Sequence, residues 1–236
     1  MKPFRLLSLL ILLFAVPVFA AGELTERLAA CTVCHGEHGE GRAGAEYYPH
    51  LAGKPAGYLL RQLRAFRDGD RRYAQMGWLM RNMDDAYLQA IAEHFAALPP
   101  RPPARATATR PPDPVLAQRA QTLLAKGDAT RAIPACIACH GEQLAGLEPA
   151  IPGLLGLPEE YVVAQFGGWR AGVRRTPAPD CMAQIARALD ASEIRAIAHW
   201  LSAQQQAEPQ RPAPAGTLVP PQACAGLPDS AAQVLP

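Results

Sequence analysis

The pentapeptides Cys31-Thr32-Val33-Cys34-His35 and Cys136-Ile137-Ala138-Cys139-His140 repeat one pattern, C-x-x-C-H, twice in 236 residues. On a helical turn, positions three and four apart share a face. Both thiols and the following imidazole of each motif are therefore presented together. This is the attachment pattern of a c-type haem, with two thioethers on one porphyrin edge and the histidine nitrogen under the iron. A four-cysteine zinc site needs no histidine directly after the second cysteine in both copies. A pair of thioredoxin-like motifs needs a βαβ context, and no strand pattern here is convincing. The fold must then be one that wraps twice around a flat apolar group.

The motifs belong to a longer internal repeat. Pro49-His50-Leu51-Ala52-Gly53-Lys54-Pro55 leads to Tyr58, Gln62, Phe66, Gly69, Arg71 and Arg72. Pro152-Gly153-Leu154-Leu155-Gly156-Leu157-Pro158 leads to Tyr161, Gln165, Trp169, Gly172, Arg174 and Arg175, always 103 positions later. The first cysteines are 105 apart and the last helices 106 apart, a drift that small loop insertions explain. Residues 21–98 and 114–206 therefore read as two tandem domains. Pro99-Pro100-Arg101-Pro102-Pro103 opens a semi-rigid linker over 99–113, and 207–236 forms a proline-rich tail.

Both units read as all-α. Segments 23–30 and 114–126 are helical and precede the two motifs. Pro55 and Pro158 sit in the first turn of middle helices, where a missing N–H costs nothing. Those helices run to the stops Gly69 and Gly172. The last helices, 84–97 and 190–204, open on capping aspartates. In them Leu88, Ile91, Ala92 and Phe95, and Ile194, Ile197, Ala198 and Leu201, recur at helical spacing.

An iron with one histidine still has an open face, and what fills it separates carrier from catalyst. Beyond Met1 the methionines are Met76, Met80, Met83 and Met182. Met182 stands alone in the second unit, eight residues before Asp190, and Met76 stands eight before Asp84. The repeat selects Met76 and Met182 as axial ligands opposite His35 and His140. Met80 is the reserve ligand and, with Met83, packs the pocket. His38, His50, His94 and His199 have no counterpart in the other copy and read as surface or satisfied residues.

Lys2, Arg5, the apolar run 6–18 and the small residues Ala20, Ala21 and Gly22 read as a secretory signal cleaved after Ala20. The run is short for a spanning helix, which needs about 20 apolar residues. Its removal leaves 21 basic against 21 acidic residues. Near-neutrality gives no electrostatic case for DNA, RNA or an anionic membrane. Export to the periplasm permits disulfides. The two cysteines outside the motifs, Cys181 and Cys224, are candidates for one that ties the tail to the second domain; free thiols and an intermolecular bridge are the alternatives.

Taken together, both Cys-x-x-Cys-His-Gly motifs, Pro-His-Leu-Ala-Gly-Lys-Pro with Tyr58-Leu59-Leu60-Arg61-Gln62-Leu63, and the placement of Met76 and Met182 resemble the dihaem class I cytochromes c of the cytochrome c-four type. The resemblance covers roughly residues 23–204. It implies two cytochrome c folds related by a pseudo-twofold axis, two covalent haem c groups, and electron transfer between redox proteins, periplasmic or membrane-bound, ending at an oxidase or reductase. It further implies that the Pro49 and Pro152 carbonyls orient the histidines, and that Tyr58, Tyr161, Arg71 and Arg174 contact propionates. With both axial sites filled, the expected role is an electron carrier rather than an enzyme. The competing readings are the electron-accepting subunit of a periplasmic dehydrogenase, and a dihaem peroxidase, which the symmetric methionines disfavour. The proline-rich linker, Cys181 beside Met182, and the tail depart from the resemblance. A Cys181–Cys224 bridge would make the tail a clamp on the Met182 loop.

Overall fold

The computed structural model describes residues 21–42, 48–101, 111–204 and 210–225. The apolar segment 1–20, most of the linker and the end of the tail lie outside the described residues. No helix among the described residues is long and apolar enough to cross a membrane.

In the first domain, α1 (Ala21–His35), α2 (Ala56–Asp68), α3 (Ala74–Met80) and α4 (Asp85–Ala97) follow in order. The second has α5 (Pro114–Ala125), a 3-10 turn (Ala129–Arg131), α6 (Ile137–His140), α7 (Glu159–Arg170), α8 (Cys181–Ala188) and α9 (Ala191–Ala203). The two copies present their motifs differently. Nothing in 21–35 breaks a helix, so α1 runs straight through Cys31 to His35. In the second copy Gly127 stops α5 with φ 70°, and a Cβ there would collide with the Ile133 carbonyl. The motif then forms a separate helical turn, α6.

The middle helices begin one residue later than expected, with Pro55 and Pro158 as N-caps rather than inside the first turn. Gly69, at φ 82°, ends α2. Asp84 accepts from the Tyr87 N–H to start α4. Asp190 and Glu193 form a reciprocal capping box on α9, which satisfies amides that would otherwise be orphaned. Two features carried no periodic signal. Met76 and Met80 sit on the short helix α3, and Met182 on the short helix α8. Strands β1 (Gly146–Leu147) and β2 (Ile151–Pro152) form a two-residue antiparallel ladder. A strand of that length has no alternation to read.

Helix α2 packs on α3 and α4, α7 packs on α8 and α9, and α5 packs on α9. Leu28, Tyr58, Leu59, Ile91, Ala92 and Phe95 form one core. Leu123, Leu124, Phe166, Ile194, Ile197 and Leu201 belong to the other. The second domain also carries an ionic knot. The buried Glu193 carboxylate accepts from Arg119 at 2.9 Å and from Arg131 at 2.6 Å, and both guanidiniums also reach Asp128. Burial works to raise the Glu193 pKa, but Arg131, the Asp190 amide and Arg119 outweigh it and hold it below the usual value.

Removing Glu193 would leave both guanidiniums with Asp128 as their one carboxylate partner and would free the Asp190 amide, the half of the α9 capping box that Glu193 supplies. Glu193→Ala is expected to cost about 2 kcal/mol, measured by urea unfolding of the haem-loaded protein. Because the folded-state pKa is depressed, the contribution is present above the ordinary carboxylate range and fades as pH falls through it. The stability difference between wild type and variant therefore shrinks in acid.

Candidate functional site

Each domain encloses an apolar cavity, of about 240 Å³ in the first and about 320 Å³ in the second. Cys31, Cys34 and His35 line the first together with Met76 and Met80. Cys136, Cys139, His140 and Met182 line the second. Every residue expected at a haem thus faces the cavity of its own domain. Met83 instead packs against the first core.

The histidines are held alike. His35 Nδ1–H donates to the Pro49 carbonyl at 2.9 Å, and His140 Nδ1–H to that of Pro152 at 2.8 Å. These carbonyls fix the ring and its tautomer, which leaves Nε2 as the nitrogen for a metal. Burial pulls both imidazoles below their ordinary pKa, against the carbonyl hydrogen bonds, and so favours the neutral form that binds metal. Burial also pushes the Cys31 thiol up to about 11 and the Cys136 thiol up to about 12.

The two cavities meet at one polar seam. Lys54, Tyr58, Gln62, Arg71, Tyr161, Gln165 and Arg174 line both. Arg71 donates to Gln62 at 2.9 Å in its own domain, and to Tyr161 Oη at 2.9 Å and Gln165 at 2.7 Å in the other. Arg174 does the reverse: it donates to Gln165 at 2.9 Å at home, and to Gln62 at 3.0 Å and Tyr58 Oη at 3.4 Å across the seam. Arg71 lies over the Phe66 ring and Arg174 over Trp169. The backbones pair antiparallel there, Arg72 N–H to Val173 O and Arg175 N–H to Asp70 O, both 2.8 Å. Such reciprocity is the mark of a pseudo-twofold axis.

This seam is cationic without a matching anion. No carboxylate of the described residues pairs with Arg71, Arg174 or Lys54. Burial brings the Lys54 ammonium down to about 8. Burial works to raise the Tyr58 hydroxyl, but Arg174, Arg71 and Lys54 outweigh it and bring it down to about 8. Two apolar cavities that share a cationic end fit an apolar disc whose only charges are two carboxylates on one edge, which is the shape of haem. The Trp169 Nε1–H is buried without a protein partner in a residue that lines the second cavity, a donor that a bound group could satisfy.

The cytochrome c family profile matches residues 21–95. The chain is 35% identical over 176 residues to the thiosulfate dehydrogenase electron acceptor of Thiomonas intermedia, covering 75% of this chain and 79% of that protein. It is 32% identical over 184 residues to cytochrome c4 of Pseudomonas aeruginosa, covering 77% and 86%. The chain belongs to the cytochrome c4 family.

Two solved structures share the fold of this c4-type cytochrome. Reduced cytochrome c4 from Pseudomonas stutzeri superposes with a TM-score of 0.64 at 26% identity, covering 79% of this chain and 99% of that one. The thiosulfate dehydrogenase TsdBA from Marichromatium purpuratum gives 0.66 at 30%, covering 78% of this chain but only 40% of that one. The chain thus has two class I cytochrome c domains, carries two covalently bound haem c groups, and transfers electrons.

The sequence missed how far the seam residues reach. Tyr58, Tyr161, Arg71 and Arg174 were expected to contact propionates, and the structure adds that each arginine serves the tyrosine of the opposite domain. The 103-residue offset that paired these positions, including Phe66 with Trp169, was the available signal. His50 needs a correction: it is neither surface nor satisfied, being 8% exposed with an unpartnered Nδ1. It follows Pro49, whose carbonyl is committed to His35, and so is carried inward with that loop.

Each seam arginine should make reduction of a neighbouring iron easier. Arg71→Gln or Arg174→Gln is expected to lower haem potential by tens of millivolts, on the order of what losing one nearby buried positive charge costs at an effective dielectric of about 20. Spectroelectrochemical titration of the variants against wild type measures it.

Proposed function

We propose that this cytochrome is a periplasmic electron acceptor for a dehydrogenase that oxidises a sulfur compound of the thiosulfate class, and that it passes single electrons to a downstream oxidase or reductase. The observation that carries this reading is the meeting of the two cavities at one shared cationic seam. An electron accepted in one domain has a short, fixed route into the other. The relatives described as thiosulfate dehydrogenase electron acceptors supply the donor class. The charged, apolar and small segments of residues 1–20 support export.

In this reading Cys31 and Cys34 hold the first haem and Cys136 and Cys139 the second, as thioethers. His35 with Met76, and His140 with Met182, would hold the two irons. The haem iron supplies reversible one-electron redox chemistry, and a thioether ligand raises its potential relative to a second histidine. The protein's own work is orientation and exclusion. The Pro49 and Pro152 carbonyls hold the imidazoles, the cores keep water from the ring faces, and the arginines neutralise the propionate edge. With a histidine and a methionine holding each iron, peroxide and oxygen would find no site, and the chain would carry electrons without bond-making chemistry of its own.

A second reading, a freely diffusing shuttle with several partners, is favoured by the relatives described only as cytochrome c4. Stopped-flow mixing with a purified thiosulfate dehydrogenase and thiosulfate separates the two. Reduction of both haems that depends on enzyme and substrate together supports the dehydrogenase reading. Reduction by unrelated donors alone overturns it.

The axial assignment has its own check. A methionine sulfur on ferric haem gives a weak near-infrared charge-transfer band. Met76→Ala and Met182→Ala should each delete half of that intensity and open one haem to carbon monoxide, whereas Met80→Leu should leave the band whole.

A further inference from the structure

The tail is not a loose appendage. Over 210–225 it crosses both domains and returns to the second cavity. Arg211 donates to the Ala96 and Ala97 carbonyls, 3.4 and 3.3 Å away, at the C-terminal end of α4 in the first domain. Ala213 then bridges in parallel to Leu147 of the β1–β2 ladder: its N–H donates to Gly146 O at 3.0 Å and its carbonyl accepts from the Glu148 N–H at 2.8 Å. That ladder contains Pro152, the residue whose carbonyl holds His140. Finally Cys224 is bonded to Cys181, with the Cα atoms 5.6 Å apart, and the Ala225 N–H donates to Pro179 O at 3.0 Å.

Cys181 is the first residue of α8 and Met182 the second. The strap therefore grips the chain on the residues just before the sulfur. Asp180 adds to the grip, accepting from Ala183 N–H at 3.0 Å and Thr176 N–H at 2.8 Å. Gln222, Cys224 and Ala225 line the second cavity, whereas among the described residues of the tail none lines the first. At the matching place in the first domain, Gln75 stands where Cys181 does and Ala74 where Asp180 does. Helix α3 begins with no side-chain cap.

We propose that the strap, through the Cys181–Cys224 bond, is a positioning device that holds the Met182 thioether on the second iron, while Met76 in the first domain has no such restraint. This rests on reading Met182 as the axial ligand. A sulfur on a flexible segment leaves the iron when the segment swings away. A cross-link one residue from the sulfur keeps it close after each dissociation, so recapture outruns replacement by another ligand. Strap residues also wall the cavity that an incoming ligand would have to enter. The second haem is then the ligand-inert one, and the first exchanges its sulfur more readily.

The test uses the full, haem-loaded chain with the double change Cys181→Ala and Cys224→Ala, which leaves no lone thiol to compete for iron. The near-infrared band of the ferric protein is followed with rising pH, and carbon monoxide binding is followed in the ferrous protein. The expected result is selective. Half of the band is lost at a pH about one unit lower than in wild type, which corresponds to about tenfold weaker ligation. One haem of two binds carbon monoxide at least about tenfold faster, and the other half of each signal is unchanged.

Signals identical to wild type overturn the proposal. So does an equal change in both halves, which would mean general loosening rather than positioning of one ligand. Should the double variant fail to load haem, the folded wild-type protein is treated with a phosphine and an alkylating agent, and the same half-selective carbon monoxide binding is expected. Met182→Ala in the otherwise native chain keeps the two failures apart: a fully retained band there sinks the ligand assignment, whereas a halved band with an inert double variant sinks only the strap.

Discussion

Two domains of fewer than a hundred residues each enclose an apolar space that a close-packed interior does not leave empty. Domains of this size bury too little surface to be comfortable without help, and here the help has to come from what fills the space. The remaining architecture can be understood as the wall built around the bound haem. The core clusters lie along the cavity rims, the attachment cysteines end a helix or form a helical turn at the edge, and the methionines arrive on short helices. A polypeptide that carried these residues without the bound group would have two hollow cores and a surplus of buried positive charge.

That surplus is the second half of the same constraint. Arg174 is 8% exposed and Lys54 6%, and the groups that face them are hydroxyls, amides and backbone carbonyls. Buried cations without counter-ions are costly unless an anion is brought to them. The seam therefore joins two jobs that are usually separate in a two-domain chain. It fastens the domains together, and it gathers the charge that holds the carboxylate edges of both haems. Redox communication and domain docking rest on one set of side chains.

Much of this was legible from the residues alone. The motifs announced themselves, the 103-residue offset divided the chain, and Asp84 and Asp190 marked the last helices through capping chemistry that is local in sequence. Cys181 and Cys224 could be paired only as the two cysteines left over. What escaped has a common physical cause. Helices α3 and α8 are too short for a period to emerge, and the β1–β2 ladder is set by a turn and a tail rather than by alternation. The burial of His50 follows from its neighbour's hydrogen bond. The exchange of partners across the seam is a long-range fact: Arg71 and Tyr161 are ninety positions apart, and no local pattern encodes which tyrosine an arginine will choose.

Where residue i of one half meets j of the other and j meets i, the surface is self-complementary, as in a symmetric dimer of identical subunits. This chain is in effect such a dimer written on one string, with the 99–113 segment as the tether. A self-complementary face does not by itself distinguish its own sister half from the same half of a neighbouring molecule. The tether answers that by concentration, since the sister is always close. Arg211 answers it by asymmetry: it reaches from the second half's tail to the end of α4 in the first half, a contact with no counterpart running the other way among the described residues. Symmetry builds the joint, and one asymmetric contact decides who is joined.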